Sequence, residues 1–146
     1  SAATNVMNSI KDYIERGGYT LAECGGMMYL TSVLMTGTDT RMEYNMAGVL
    51  PVKVSAFKDD MRLSLGYRSF ELRGMKIRGH EFHYSQVIES DEELTSAAQV
   101  YNAKGQPVNT PVYHYKNLIA SYTHLYWGET GFMRLFEPVP GNLFLF

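Results

Sequence analysis

The only cysteine of the chain, Cys24, sits at the feature that most limits its fold. It ends the stretch Tyr19-Thr20-Leu21-Ala22-Glu23, and Gly25-Gly26 follow at once. Met27-Met28-Tyr29-Leu30-Thr31-Ser32-Val33-Leu34-Met35 comes next and reads as a helix. The order predicts strand, sharp turn and helix, with a thiol at the bend. A nucleophile elbow is built this way, because small residues after the nucleophile let the chain turn. Amides of the new helix would point toward the thiol, and the helix dipole favours a thiolate. A buried structural cysteine fits the same residues, since free Cys is among the most buried types.

At 146 residues the chain is one domain or a piece of one. It is 45% hydrophobic and 19% charged, as expected of a globular protein. A formal net charge of −2 gives no reason to expect nucleic acid or an anionic membrane as a partner. No apolar run approaches the ~20 residues that span a bilayer. The first residues are polar and lack the basic start of a signal peptide. A single cysteine permits no internal disulfide, so the cytoplasm is the expected compartment.

Val6, Ile10, Tyr13 and Ile14 recur at helical spacing. Thr4 or Asn5 would cap that helix, and Gly17-Gly18 would end it. The strand ending at Glu23 and a helix to about Met35 follow. The middle of the chain changes character. Segments 47–57, 65–72 and 76–88 are rich in Val, Phe, Tyr and Leu, with breaks at Lys58-Asp59-Asp60 and Arg73-Gly74. This pattern predicts a β-meander. Asp91-Glu92-Glu93-Leu94 opens a polar, partly helical insertion. Segments 98–102 and 108–115 read as strands across a turn at Lys104-Gly105. Leu118–Tyr122 is one more apolar strand, running into Thr123-His124. A short helix is expected over residues 131–137, with Pro138 and Pro140 at the exit.

A cysteine nucleophile needs a base, and the histidines are His80, His83, His114 and His124. Cys24 and His124 both fall at predicted strand ends, where active groups of α/β sheets gather. Adjacent strands would let thiol and imidazole meet; on position alone an isolated surface or core His124 fits better. His80-Glu81-Phe82-His83 is not the zincin spacing, and on a strand the two histidines face opposite sides. No metal site is expected. No phosphate-binding glycine loop or dinucleotide fingerprint occurs, so this chain is expected to hold no nucleotide cofactor itself.

Several segments together resemble the cobyrinic acid a,c-diamide synthases. Ala22-Glu23-Cys24-Gly25-Gly26-Met27-Met28-Tyr29-Leu30 is similar to their nucleophile segment. Arg78-Gly79-His80-Glu81-Phe82-His83-Tyr84-Ser85 is similar to their second signature. Ile119-Ala120-Ser121-Tyr122-Thr123-His124-Leu125-Tyr126 is similar to their histidine segment. Gly48-Val49-Leu50-Pro51, Arg62-Leu63 and Gly66-Tyr67-Arg68 fit in the right order.

The resemblance implies an α/β, flavodoxin-like class I glutamine amidotransferase fold with a β-rich middle section. Residues 1–146 would be part of that single domain, lacking its early strands and a glycine-rich oxyanion loop. In the family the domain follows an N-terminal synthetase that uses ATP and Mg. Glutamine, that synthetase and, through it, cobyrinic acid are the implied partners. Cys24 would attack the glutamine amide, His124 would act as acid and base, and the Gly25 N–H would face the oxyanion. Losing the second oxyanion donor implies little glutaminase activity for these residues alone. The exposed sheet edge of such a piece would be covered by dimerisation or swapping.

Two positions depart from the wider amidotransferase pattern. Tyr126 stands where a glutamate usually orients the histidine, and Met28 stands where a glutamine often holds substrate. The orienting acid is then missing or comes from elsewhere, and the site is expected to work as a Cys–His dyad. His83 and Tyr84 are the expected substrate contacts. Glu81 is structural or orients a partner, and His80 and His114 are structural or exposed. The same residues also fit an amidotransferase with another acceptor (cobyric acid or cell-wall lipid type). A non-catalytic interaction module on this scaffold fits them too.

Overall fold

The computed structural model describes residues 1–128 and 132–136. In chain order it contains helix α1 (Ala2–Glu15), β1 (Thr20–Glu23), helix α2 (Gly25–Leu30), β2 (Val33–Thr36), β3 (Met42–Asn45) and β4 (Val52–Ser55). After a 3-10 turn at Lys58–Asp60 come β5 (Ser64–Leu72), β6 (Met75–His83) and β7 (Gln86–Ser90). The short strands β8 (Val100–Tyr101) and β9 (Pro107–Val108) follow, then β10 (Val112–Tyr115), β11 (Leu118–Ser121) and β12 (His124–Leu125). A 3-10 turn covers Phe132–Phe136. It lies inside the helix expected over 131–137, whose two end residues, with Pro138 and Pro140, lie outside the described residues.

Among the described residues the result is a mixed α/β architecture of three sheets. Their strand orders are β1-β11-β10, β12-β6-β5-β8-β9 and β3-β2-β4-β7. Two pairs are parallel, β1 with β11 and β2 with β4. β11 is buried along its whole length. Because strand side chains alternate, Leu118 and Ala120 enter one core with Ile14, Met27, Leu30 and Tyr122. Ile119 enters a second core with Phe70, Ile77, Leu125 and Leu135. One strand therefore joins both cores.

Several expectations are corrected. The α1 cap is Ser1, whose Oγ accepts the Thr4 N–H at 3.2 Å. Val6 and Tyr13 lie outward, while Ile14 is fully buried. The second helix stops at Leu30 rather than Met35. The Thr31 hydroxyl donates to the Met28 carbonyl at 2.6 Å, a side-chain bond that competes with helix continuation. Val33–Thr36 then pairs with strands on both sides, so sheet pairing overrides the helical pattern. The middle segments do not form one meander. β5 and β6 form a hairpin of nine facing pairs. Its turn is at Arg73-Gly74, where both φ values are positive (54° and 76°), as a tight two-residue turn requires. Segment 76–88 breaks at Tyr84-Ser85, and β7 crosses to pair with β4 in another sheet. The polar insertion at residues 91–94 is a turn, and Asn109–Pro111 separates β9 from β10.

Gly79 shows why a glycine precedes His80. A Cβ at that position would lie 2.3 Å from the His124 carbonyl oxygen and 2.5 Å from Thr123 Cγ2. The bare backbone is what lets β12 pair with β6, with His124 opposite His80. Gly79→Ala is expected to destabilise the protein by about 1–3 kcal/mol, as overpacking does, with loss of the β12 pairing. Urea unfolding with amide exchange at Leu125 measures both.

Candidate active site

β1 and β11 run parallel, with Glu23 opposite Ser121. Both strands therefore end at one edge, and pairing extends one residue further: the Cys24 N–H donates to the Ser121 carbonyl at 2.8 Å. Cys24 then takes φ 47° and ψ −107°, and α2 starts at Gly25. Positive φ at a non-glycine residue costs on the order of 1–3 kcal/mol and persists only where its surroundings impose it. The Met28 N–H donates to the Cys24 carbonyl at 3.1 Å, locking the turn into the helix. A side chain at Gly25 would meet nothing within 4 Å. That glycine keeps the approach to the elbow clear.

The thiol is half-buried. Burial pushes its pKa up, the Gly25 N–H opposes this, and the Glu81 carboxylate adds a further upward push. Desolvation and a nearby anion thus outweigh the two-turn helix and disfavour the expected thiolate. Iodoacetamide alkylation of Cys24 is expected to show a midpoint above the ordinary thiol value of about 8.5. A pH–rate series read by mass spectrometry tests it.

His124 lies three residues beyond Ser121, with its ring about half exposed. Its Nδ1 lies 3.4 Å from Glu23 Oε2. Glu23 Oε1 accepts the Leu125 N–H at 3.3 Å. The residue before the cysteine thus touches the expected base. Sequence reasoning passed over Glu23. Its signal was strand alternation: Glu23 shares the face of Leu21, which packs on the core containing Leu125.

On β6, burial alternates strictly from Ile77 to His83. His83 is inside, and His80 is on the other face, its ring T-shaped to that of Tyr67 with centroids 5.9 Å apart. Glu81 is 1% exposed. It accepts from Arg68 Nε at 2.5 Å, from Thr110 Oγ1 at 2.7 Å and from Ser64 Oγ at 3.1 Å, and it contacts His83 Nε2. Burial alone would raise the carboxyl pKa, but the hydrogen bonds from His83, Thr110 and Arg68 prevail and hold it at about 2. His83 Nδ1 faces the Ser85 carbonyl at 2.8 Å, and its ring stacks on Tyr122 at 3.6 Å. Both ring nitrogens of His83 are therefore engaged within the protein. Tyr84, just past β6, is 48% exposed.

A polar chain runs from this cluster toward α2. The Ser85 hydroxyl lies 3.2 Å from Met28 Sδ and 3.0 Å from the Tyr122 hydroxyl. Ser85 has one proton; given to the thioether, it leaves Ser85 accepting from Tyr122. Met28 thereby joins a buried side-chain chain. Burial raises the Tyr122 pKa, and a charge on Cys24 would raise it further. A cavity of about 350 Å³ opens on Glu81, His83, Thr110 and Tyr122.

The chain matches the CobB/CobQ-like glutamine amidotransferase domain over residues 1–132. It belongs to that family. It is 38% identical to the cobyrinate a,c-diamide synthase of Priestia megaterium over 135 residues, 86% of this chain and 28% of that protein. It is 31% identical to the protein of the same name from Caldanaerobacter subterraneus over 144 residues, 91% of this chain and 30% of the relative. The Sulfolobus acidocaldarius protein of that name is 30% identical over 136 residues, 88% of this chain and 30% of the relative. The chain thus spans under a third of the length of these relatives. Among the described residues, no helix is long and apolar enough to cross a membrane.

Glu81 is lowered relative to the unfolded chain, so its stabilisation is complete above about pH 4.5 and fades as pH falls toward 2. Glu81→Gln would leave the Arg68 guanidinium buried without its counter-charge. It is expected to cost about 3–5 kcal/mol at neutral pH and to flatten the loss of stability in acid. Urea unfolding at pH 7 and at pH 3 compares the two proteins.

Proposed function

We propose that this chain supplies the glutaminase half of an ATP- and glutamine-dependent amidation of the a and c carboxylates of cobyrinic acid, a step of cobalamin biosynthesis, in the cytoplasm. The observation that carries the proposal is the strained Cys24 elbow, set one residue after a carboxylate that contacts His124, within a glutamine amidotransferase family. The names of the relatives supply the acceptor.

In this reading Cys24 Sγ attacks the side-chain amide carbon of glutamine. Because burial and Glu81 favour the neutral thiol, His124 takes its proton during attack and passes it to the departing ammonia. His124 then activates water, which releases glutamate from the thioester. The Gly25 N–H donates to the oxyanion of each tetrahedral intermediate, and a second donor comes from outside these residues. Ammonia passes to a synthetase domain, where ATP and Mg activate the acceptor carboxylates. The parallel β1–β11 pair, with the nucleophile at its carboxyl end, supports a flavodoxin-like arrangement for the complete domain. Tyr84 is exposed enough to touch glutamine. His83 reaches substrate only by giving up a partner, so its part is to hold Glu81 and the Ser85 backbone.

The full-length protein, given glutamine, ATP, Mg and cobyrinic acid, is expected to release glutamate and form the diamide. Cys24→Ala is expected to abolish glutamine-dependent amidation while leaving ammonia-dependent amidation intact. Hydrolysis that survives the substitution would sink the nucleophile assignment. Amidation of cobyric acid precursors or a lipid alone would sink the named acceptor.

A further inference from the structure

Any histidine that moves protons for Cys24 needs a fixed ring and a fixed tautomer. The His124 ring is 53% exposed, so packing alone does not hold it. The usual orienting position two residues on is Tyr126. The carboxylate that reaches the ring instead belongs to Glu23, the last residue of β1 and next to the proposed nucleophile. Glu23 is only 16% exposed, and it makes two contacts with consecutive residues. Oε1 takes the Leu125 main-chain N–H, which fixes the carboxylate, and Oε2 faces His124 Nδ1 at 3.4 Å. That distance is longer than a strong N–H···O bond, as catalytic contacts often are before substrate binds.

We infer that Glu23 is the positioning carboxylate of His124, holding Nδ1 protonated so that Nε2 is the atom that accepts the Cys24 proton. The inference rests on Cys24 and His124 being nucleophile and base. It converts the expected dyad into a triad whose acid precedes the nucleophile in the chain. The elbow thereby couples the two ends of the machinery. β1 carries the orienting carboxylate on its last residue and the thiol on the next, so one strand sets both.

Glu23→Gln separates positioning from packing. Glutamine still offers Oε1 to the Leu125 N–H, which turns its amide NH2 toward Nδ1. Nδ1 must then accept, the proton moves to Nε2, and the ring can no longer take one from the thiol. In the full-length protein, glutamine hydrolysis by Glu23→Gln is expected to lose about 10²–10⁴ in kcat, with KM little changed. Glu23→Asp, which keeps the charge on a shorter arm, is expected to recover part of that loss. The 15N spectrum of His124 is expected to move from the Nδ1–H to the Nε2–H tautomer in Glu23→Gln, a change that a structural role would not produce. Wild-type kcat or an unchanged tautomer in Glu23→Gln, with Cys24 still essential, would overturn the positioning role alone. Hydrolysis indifferent to Cys24→Ala would overturn the amidotransferase reading and the positioning role with it.

Discussion

Everything at this site depends on the parallel pairing of β1 with β11. β11 is buried throughout and sends alternate side chains into two cores, so its position is fixed from both sides. Pairing Thr20 with Leu118 through Glu23 with Ser121 then sets where each strand ends. A slip of one residue would exchange the faces of β1, turning Ala22 out of the first core and Glu23 into it. The burial of Ala22 therefore specifies the register, and the register delivers Glu23 to His124. The hydrophobic core and the chemistry are the same constraint seen on opposite faces of one strand.

Two carboxylates flank the elbow, and their surroundings give them different work. Glu81 is buried and surrounded by donors from Arg68, His83, Thr110 and Ser64, which keep it ionised out of water. Its charge is felt at Cys24, where it favours the neutral thiol. Glu23 is partly wet and bound to a main-chain N–H, with its second oxygen turned to an exposed imidazole. The first carboxylate is locked by its network and acts through its field. The second has one oxygen left to face the His124 ring. Under the proposed reaction, a cysteine whose neutral thiol is favoured would place the burden of activation on its base, so the orientation of His124 would matter.

The features legible in the sequence were those set by local chemistry. Cys24 before Gly25-Gly26 announced a sharp turn, and the turn is there with a positive φ. Arg73-Gly74 between two alternating runs announced a hairpin, and β5 and β6 meet across it. The parity of His80 and His83 on an extended segment put them on opposite faces, as their burial agrees. Errors arose where long-range pairing overrode local preference. Residues 33–35 continue a helical pattern, yet neighbouring strands pull them into a sheet. Segment 76–88 reads as one strand, yet β7 leaves the hairpin because β4 offers it an edge.

The sequence by itself determined the residue types of the candidate site and the bend that holds the thiol, since a cysteine, two small residues and a helix start are contiguous. It also determined the family, through three segments in fixed order. Tertiary structure alone decided which acid meets which base. Glu23 and His124 lie far apart in the chain, and no periodicity links them; strand register and the bare backbone of Gly79 bring β12 to the end of β1. It alone decided, too, that the neutral form of Cys24 is favoured. That preference is set by burial and by the charge of Glu81 across a sheet boundary, and desolvation has no signature in the order of amino acids.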